Sequence, residues 1–544
     1  MNIATLADPL YYLANFRQVL IWLNGRYADM LDPEERAFMA AFEQLPSPAQ
    51  ALLVRLIMRK GTLFRHGRLA YAEIGCIHTA AQPLLALGWL DSEQPLCLGQ
   101  LFEVLQKPEL ISRFRHRGIS SSLRKAELLQ ALLPLYPQAR RFTEWFRQPG
   151  EAVYALQVRG LCERLRLMFF GNLRQDWSEF VLADLGVARY ELVELDERSR
   201  ALRHRHDMQV CMAIYRCREK LEEGADLTEV GNALAQLQTD SPWLIARRGK
   251  LMYQVAYEHE RHEQFAPALQ LYAQCQWPGA RLRTIRVLER LGHAHVALDL
   301  AGVALLAPEN AAEAQAVPRI VHRLRRLLGL GVDKRRKAPE YPRIDLCLPF
   351  SSSVEQSVGE HLQTEDGPVF YVENTLLNSL FGLLCWPAIF APVAGAFFHP
   401  FQSGPADLYQ ADFRQRREHL FQGCLAKLDS NEYRDSIRST WLEKWGIASP
   451  FVYWGAMTEA LLEQSLLCIP ADHLKHCFER LLGDLKANRA GMPDLIQFWP
   501  QQRRYRMIEV KGPGDRLQDN QLRWLDFCAA HQLPVEVCYV EWTL

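Results

Sequence analysis

The chain has no excess of either charge: 63 Lys and Arg stand against 63 Asp and Glu. This excludes a generally basic surface as the route to nucleic acid. Any such binding has to come from local clusters, because phosphate is neutralised by the cations in contact with it. The 13 cysteines include no C-x-x-C pair, which argues against a thiolate zinc site and a disulfide framework and makes a reducing cytosol the simplest compartment. Met1 to Leu20 lacks a basic segment leading into an apolar core, so secretion is not expected. His259-Glu260-Arg261-His262 lacks the H-E-x-x-H spacing of a zinc protease helix. Thr375 to Phe401 has no Asp, Glu, Lys or Arg and is long enough to cross a bilayer, but it holds Pro387 and Pro392 together with Gly382 and Gly395. We read it as a buried core helix followed by an irregular apolar segment, where a packed interior tolerates prolines better than lipid does.

At 544 residues, 49% hydrophobic and 23% charged, the chain has the profile of a globular protein of three or four domains. Residues 1–90 carry apolar side chains at helical spacing, among them Phe38, Phe42, Leu45, Leu52 and Leu56, and predict a helical N-terminal domain. Inside it Arg55, Arg59, Lys60, Arg65 and Arg68 crowd beside Phe64 and Tyr71. A basic face with interleaved aromatics suits a phosphate backbone, and a solvated helix face is the competing reading.

Between Leu98 and Pro134, short amphipathic helices are expected on either side of Gly118 and Ser120-Ser121-Ser122, the later helix capped by one of those serines. The Leu-rich helix, the Gly-hydrophobic turn and Lys125-Ala-Glu-Leu resemble the SAP domain, a small DNA-binding module over residues 91–140. That resemblance implies that Arg113, Arg115, Arg117, Arg124 and Lys125 face phosphates. Residues 141–240 read as a helical linker domain with interleaved Arg and Glu. Residues 241–338 show helical pairs with small residues at the contacts, such as Ala256, Ala268, Ala280, Ala297 and Ala301, and look like a degenerate tetratricopeptide-type (TPR-like) array. Lys334, Arg335, Arg336 and Lys337, followed by Pro339 and Pro342, mark the last boundary, after which residues 339–544 form the final domain.

Near the far end of that domain, Asp494 to Trp499 reads as a strand, Pro500 to Arg503 as a turn and Tyr505 to Lys511 as a second strand. A hairpin centred between Gln501 and Gln502 sets Asp494 opposite Glu509. Side chains alternate along a strand, so Glu509 and Lys511 share a face with each other and with the residue across the ladder. Two carboxylates so placed repel unless a cation lies between them, and a hard oxygen site with open positions suits Mg²⁺ or Mn²⁺. With an ammonium beside it, the set suits hydrolysis of a phosphodiester by an in-line water. Gly491 is expected to leave room for substrate, and Gly512 and Gly514 to turn the chain out of the strand.

Gly491-Met-Pro-Asp-Leu, Glu509-Val-Lys-Gly-Pro-Gly-Asp-Arg-Leu, the helix bearing Gln521 and Trp524, and the strand Val535 to Val540 together resemble the VRR-NUC nuclease domain of the PD-(D/E)xK superfamily. More specifically, the chain resembles a bacterial member of the Fanconi-associated nuclease family. That family places a metal-binding glutamate just before a Leu-Phe-Gly-Leu-Leu run, which here begins at Leu380 and is preceded by Glu373. From the residues alone, Glu373 is expected to open a helix after the strand-like Val369 to Val372, where the helix dipole favours an acid.

The resemblance implies that Glu373, Asp494, Glu509 and the main-chain carbonyl of Val510 bind metal and that Lys511 assists catalysis. It also implies a mainly α chain with a C-terminal α/β restriction-endonuclease-like core. The implied activity is structure-selective cleavage of DNA near 5′ flaps and from 5′ ends on branched or gapped duplexes, in interstrand crosslink repair at the nucleoid. A catalytically silent DNA-binding scaffold and a phage- or restriction-type nuclease are the alternatives.

Overall fold

The computed structural model describes residues 8–117, 120, 122–146, 150–175, 177, 189–331 and 340–543. The chain divides into two units, one drawn from Met1–Ala188 and Leu202–Met208, the other from Arg189–Ala201 and Gln209–Leu544. Gly118, Ser121 and the Lys334 to Pro339 junction lie outside the described residues.

In the first unit, helices Tyr11–Tyr27, Pro33–Gln44 and Ser47–Ile57 bury Phe16, Phe42, Leu52 and Leu56. The second of these starts with Asp32 accepting the N–H of Glu35 while Glu35 returns to the N–H of Asp32, and Pro33 occupies the first helical position. The fully buried Glu35 also takes Arg164 at 2.7 Å and Arg205 at 2.6 Å, as a buried charge must be paired. This helical frame carries a small sheet that periodicity did not reveal: β1 (Leu63–Arg65), β2 (Leu90–Asp91) and β3 (Val153–Leu156), in the order β1-β3-β2 with both pairings antiparallel.

The SAP-like segment folds as helices Leu98–Val104, Lys107–Phe114 and Lys125–Leu132 around Leu101, Leu110, Phe114, Leu128, Leu132 and Trp145. Its last helix is not capped by a serine. Arg124 is the N-cap residue, and its N–H donates to Glu127 Oε2 at 2.7 Å. This is the return half of a capping box, an acid at the third helical position accepting the N–H of the N-cap residue.

In the second unit, helices Pro242–Arg261, Phe265–Gln274, Ala280–Arg290, Ala294–Leu306 and Ala311–Leu327 each pack on the next. Ala268, Ala280, Ala297, Ala301 and Ala304 are buried at the contacts. The α/β part holds β4 (Arg343–Pro349), β5 (Val369–Tyr371), β6 (Leu495–Trp499), β7 (Arg504–Lys511) and β8 (Val535–Thr543) in the order β4-β8-β7-β6-β5. β8 runs parallel to β4 and β7, whereas β6 is antiparallel to β5 and β7.

The charge-free stretch forms the buried helices Leu376–Leu384 and Trp386–Ile389 and then an irregular segment. Gly382 lies inside the first of these, where an added Cβ would stand 2.6 Å from Phe451 Cβ. Among the described residues, no helix is long and apolar enough to cross a membrane.

Candidate active site

The hairpin forms in the expected register, with Leu495 opposite Ile508 and Trp499 opposite Arg504. Its turn is a single 3-10 turn at Pro500–Gln502, closed by Arg503 at φ 49°. β7 is central and buried on both faces. Ile508 and Val510 pack on one side with Val358, Leu495, Cys538 and Val540, and Met507 packs on the other with Ile496 and Phe498. Alternation therefore sends Asp494, Glu509 and Lys511 to the side of Met507, at the end of the sheet where β6 begins.

The three groups meet there. Asp494 Oδ2 accepts the N–H of Val510 at 2.7 Å, and Lys511 Nζ lies 2.6 Å from Glu509 Oε1. All three side chains are buried, Glu509 at 1% exposure. Burial pushes both carboxyls above the usual carboxylate range. For Asp494 the Val510 N–H and Lys511 pull back, while Glu373 and Glu355 push further up. For Glu509 the neighbouring charge of Asp494 adds to burial, Lys511 opposes it and Glu373 adds a little more.

Glu509 Oε2 is buried and has no hydrogen-bond partner. An orphaned, buried carboxylate oxygen facing a second carboxylate fits a divalent cation, which would satisfy the lone pair and reverse the repulsion. Among the described residues, no three His, Cys, Asp or Glu side chains are gathered closely enough to enclose a metal on their own.

Glu373 accounts for this difference. It does not open a helix: the helix begins at Leu376, and Glu373 stands in the turn between β5 and that helix, next to Asn374 at φ 52°. The helix dipole therefore gives no reason for an acid at this position. The carboxylate is exposed and accepts from Tyr371 Oη at 2.5 Å and Asn374 Nδ2 at 3.2 Å. The turn is tied to the hairpin, since Val372 N–H donates to Asp494 O at 2.8 Å. Glu373 thus flanks the pair, close enough for its charge to act on both.

Sequence reasoning passed over Glu355, in the first turn of the helix Val354–Leu362, whose charge also acts on Asp494. Nothing in the sequence separates it from other helix-opening acids. Gly491 has a different reason from the one expected. At φ +86° its Cβ would meet the backbone carbon of Asn520 at 2.7 Å, so it admits the helix Asp519–Ala530 against the loop before Asp494. Gly514, at φ +87°, does turn the chain after β7.

The ten cations singled out in the sequence all lie in the first unit, and most have internal partners, Arg65 with Glu109 and Glu151 and Arg68 with Glu109 among them. Arg55 pairs with Glu73 at 2.5 Å and stacks over Tyr12, and Arg59 donates to Tyr71 Oη. Arg113 donates to the carbonyl of Trp145, Arg117 to Tyr136 Oη, Arg124 to Glu127 and Lys125 to the carbonyl of Leu105. Lys60 and Arg115 are exposed.

Three family models match the chain: the FAN1 HTH domain over residues 10–91, the Fanconi anemia-associated nuclease SAP domain over 95–145 and the VRR-NUC domain over 429–542. The chain is 56% identical to the Fanconi-associated nuclease 1 homolog of Pseudomonas aeruginosa, over 100% of this chain and 98% of that protein. It is 23% identical to human Fanconi-associated nuclease 1, over 97% of this chain and 62% of that one. The crystal structure of paFAN1 bound to 2-nt 5′-flap DNA with a gap superposes with a TM-score of 0.92 at 56% identity, covering 99% of this chain and 100% of that one.

Proposed function

The chain belongs to the Fanconi-associated nuclease family, and from that premise we propose that it is a structure-selective, divalent-metal-dependent DNA nuclease. Its substrates are branched duplexes of the 5′-flap or gapped kind, cut endonucleolytically near the flap and 5′ to 3′ from an end, in repair that includes interstrand crosslinks at the nucleoid. The observation that carries the reading is the hairpin register, which brings Asp494, Glu509 and Lys511 together and leaves Glu509 Oε2 buried without a partner.

Asp494, Glu509, the main-chain carbonyl of Val510 and Glu373 would hold the ion, Mg²⁺ or Mn²⁺, with Glu355 as a further carboxylate toward Asp494. The bound cation supplies a Lewis acid to the scissile phosphate and acidity to the attacking water. The Val510 N–H fixes the Asp494 carboxylate, and β7 fixes Glu509, so neither has to be ordered when substrate arrives. The Lys511 ammonium rests on Glu509 and has two further donors for the charge that builds on phosphate oxygens in the transition state. The helical modules of the first unit, 1–90 and 91–140, bind duplex, and the TPR-like helices serve as scaffold.

Cleavage of end-labelled 5′-flap DNA tests this reading. The parent protein cuts with Mg²⁺ or Mn²⁺ and Asp494→Ala binds without cutting, whereas cutting by metal-purified Asp494→Ala would sink it.

A further inference from the structure

We propose that Tyr371 and Asn374 form a two-point clamp that presets the Glu373 carboxylate for the divalent cation, each holding one of its oxygens. The inference rests on the reading of Glu373 as a ligand.

Tyr371 ends β5, and its hydroxyl donates to Glu373 Oε2 at 2.5 Å. Asn374 donates from Nδ2 to Glu373 Oε1 at 3.2 Å, while its Oδ1 accepts the N–H of Met492 at 3.2 Å. Asn378 Nδ2 closes the network, donating to the carbonyls of Asn374 at 2.8 Å and Arg489 at 2.9 Å. One amide side chain therefore touches both the isolated glutamate and the loop two residues before Asp494. A ligand far upstream in sequence is keyed to the hairpin through it.

Several features separate this arrangement from incidental surface hydrogen bonding. Glu373 is exposed, so packing does not restrain its flexible side chain, and binding would otherwise have to remove that freedom. Both donors are neutral, so they orient the carboxylate without cancelling the charge a cation needs, as an arginine would. Each oxygen accepts one hydrogen bond and keeps a lone pair for metal. Asn374 stands at φ 52°, a conformation asparagine tolerates and most residues do not. Tyr371 is 57% exposed, so its bond to Glu373 is not a by-product of burying the ring. Both are positioning residues, acting through Glu373.

The test counts Mn²⁺ bound to the full-length protein without DNA, from the electron paramagnetic resonance of free Mn²⁺, for the parent, Tyr371→Phe, Asn374→Gly and Glu373→Gln. Glycine keeps the positive φ and removes only the amide. Partners of this kind tune metal affinity by about 10- to 100-fold, so Tyr371→Phe and Asn374→Gly are each expected to weaken Mn²⁺ about tenfold. Metal-free melting of Tyr371→Phe stays unchanged. Parent-like Mn²⁺ affinity in Tyr371→Phe, with affinity lost in Glu373→Gln, overturns the clamp alone. Parent-like affinity in Glu373→Gln overturns the ligand reading and the clamp with it. Should Asn374→Gly fail to fold, Tyr371→Phe decides.

Discussion

Lys511 Nζ lies 2.6 Å from Glu509 Oε1, and both side chains come from one face of β7 inside the protein. On the proposed mechanism the ammonium stands where phosphate charge develops, and Lys511→Ala removes it together with the partner of Glu509 Oε1, leaving all the carboxylates in the chain. Loss of a preorganised donor of this kind costs about 10²–10³-fold in rate. Single-turnover cleavage of a 5′-flap substrate should fall by that order, while flap binding in Ca²⁺ stays near the parent's.

The raised carboxyls make the metal-free protein sensitive to pH. A carboxyl whose folded pKa lies above its unfolded value holds a proton that the unfolded chain releases. Stability then falls as pH rises from the ordinary carboxylate range through the raised folded value. Glu509 is raised by burial and by Asp494, so Glu509→Gln should flatten that decline. Thermal melts in chelator across this window check it: the variant should melt above the parent at the alkaline end, and the two should converge at the acid end.

The same protons compete with metal. Divalent affinity should rise with pH until Asp494 and Glu509 are both ionised, because a cation needs the charged forms. Ligand at 100 times its Kd adds about 2.7 kcal/mol to stability. Mg²⁺ should therefore raise the melting temperature more at alkaline than at acid pH, and chelation should reverse the gain. An equal shift at both ends would contradict competition at this site.

Gly491→Ala should injure the site more than the fold. The left-handed backbone costs an alanine about 1–2 kcal/mol, and the new methyl would stand 2.7 Å from the backbone of Asn520. The loop carrying Asp494 has to shift. Cleavage should drop by a larger factor than the modest fall in melting temperature explains, which paired activity and unfolding measurements resolve.

Among the cations singled out in the sequence, the internal contacts divide the effects. Lys60→Ala and Arg115→Ala, at exposed side chains, should weaken duplex binding and lower the slope of log affinity against log salt by about one each. Arg113→Ala should chiefly lower the stability of the SAP-like core, since its guanidinium caps the carbonyl of Trp145. Binding titrations at several salt concentrations, together with melts, separate the two classes.

The hairpin was legible in the sequence because two strong local signals agree there. Alternation along Tyr505 to Lys511 and the turn chemistry of Pro500 to Arg503 admit one register, and it is the one that forms. β1 and β2 were not legible, being three and two residues long, too short to show a period. Their partner β3 lies far along the chain, and such pairing leaves no local trace. Glu373 was found through resemblance; its true setting, a left-handed turn at Asn374, is a tertiary fact that no run of neighbours announces. Glu355 and the inward turn of Arg113 toward Trp145 were missed for the same reason, since charge in a sequence says nothing about which partner claims it.

β8 lies between β7 and β4 and pairs with both in parallel. A polypeptide cut short between Lys511 and Val535 would carry every acid and the lysine of the site and still leave β7 as an open edge, with Met507 to Lys511 unpaired on one side. Such an edge invites association rather than chemistry. During synthesis, therefore, β7 keeps that open edge until β8 is made, after all the residues of the candidate site. A nascent or broken chain is more apt to aggregate than to act as an unsupervised nuclease on the genome.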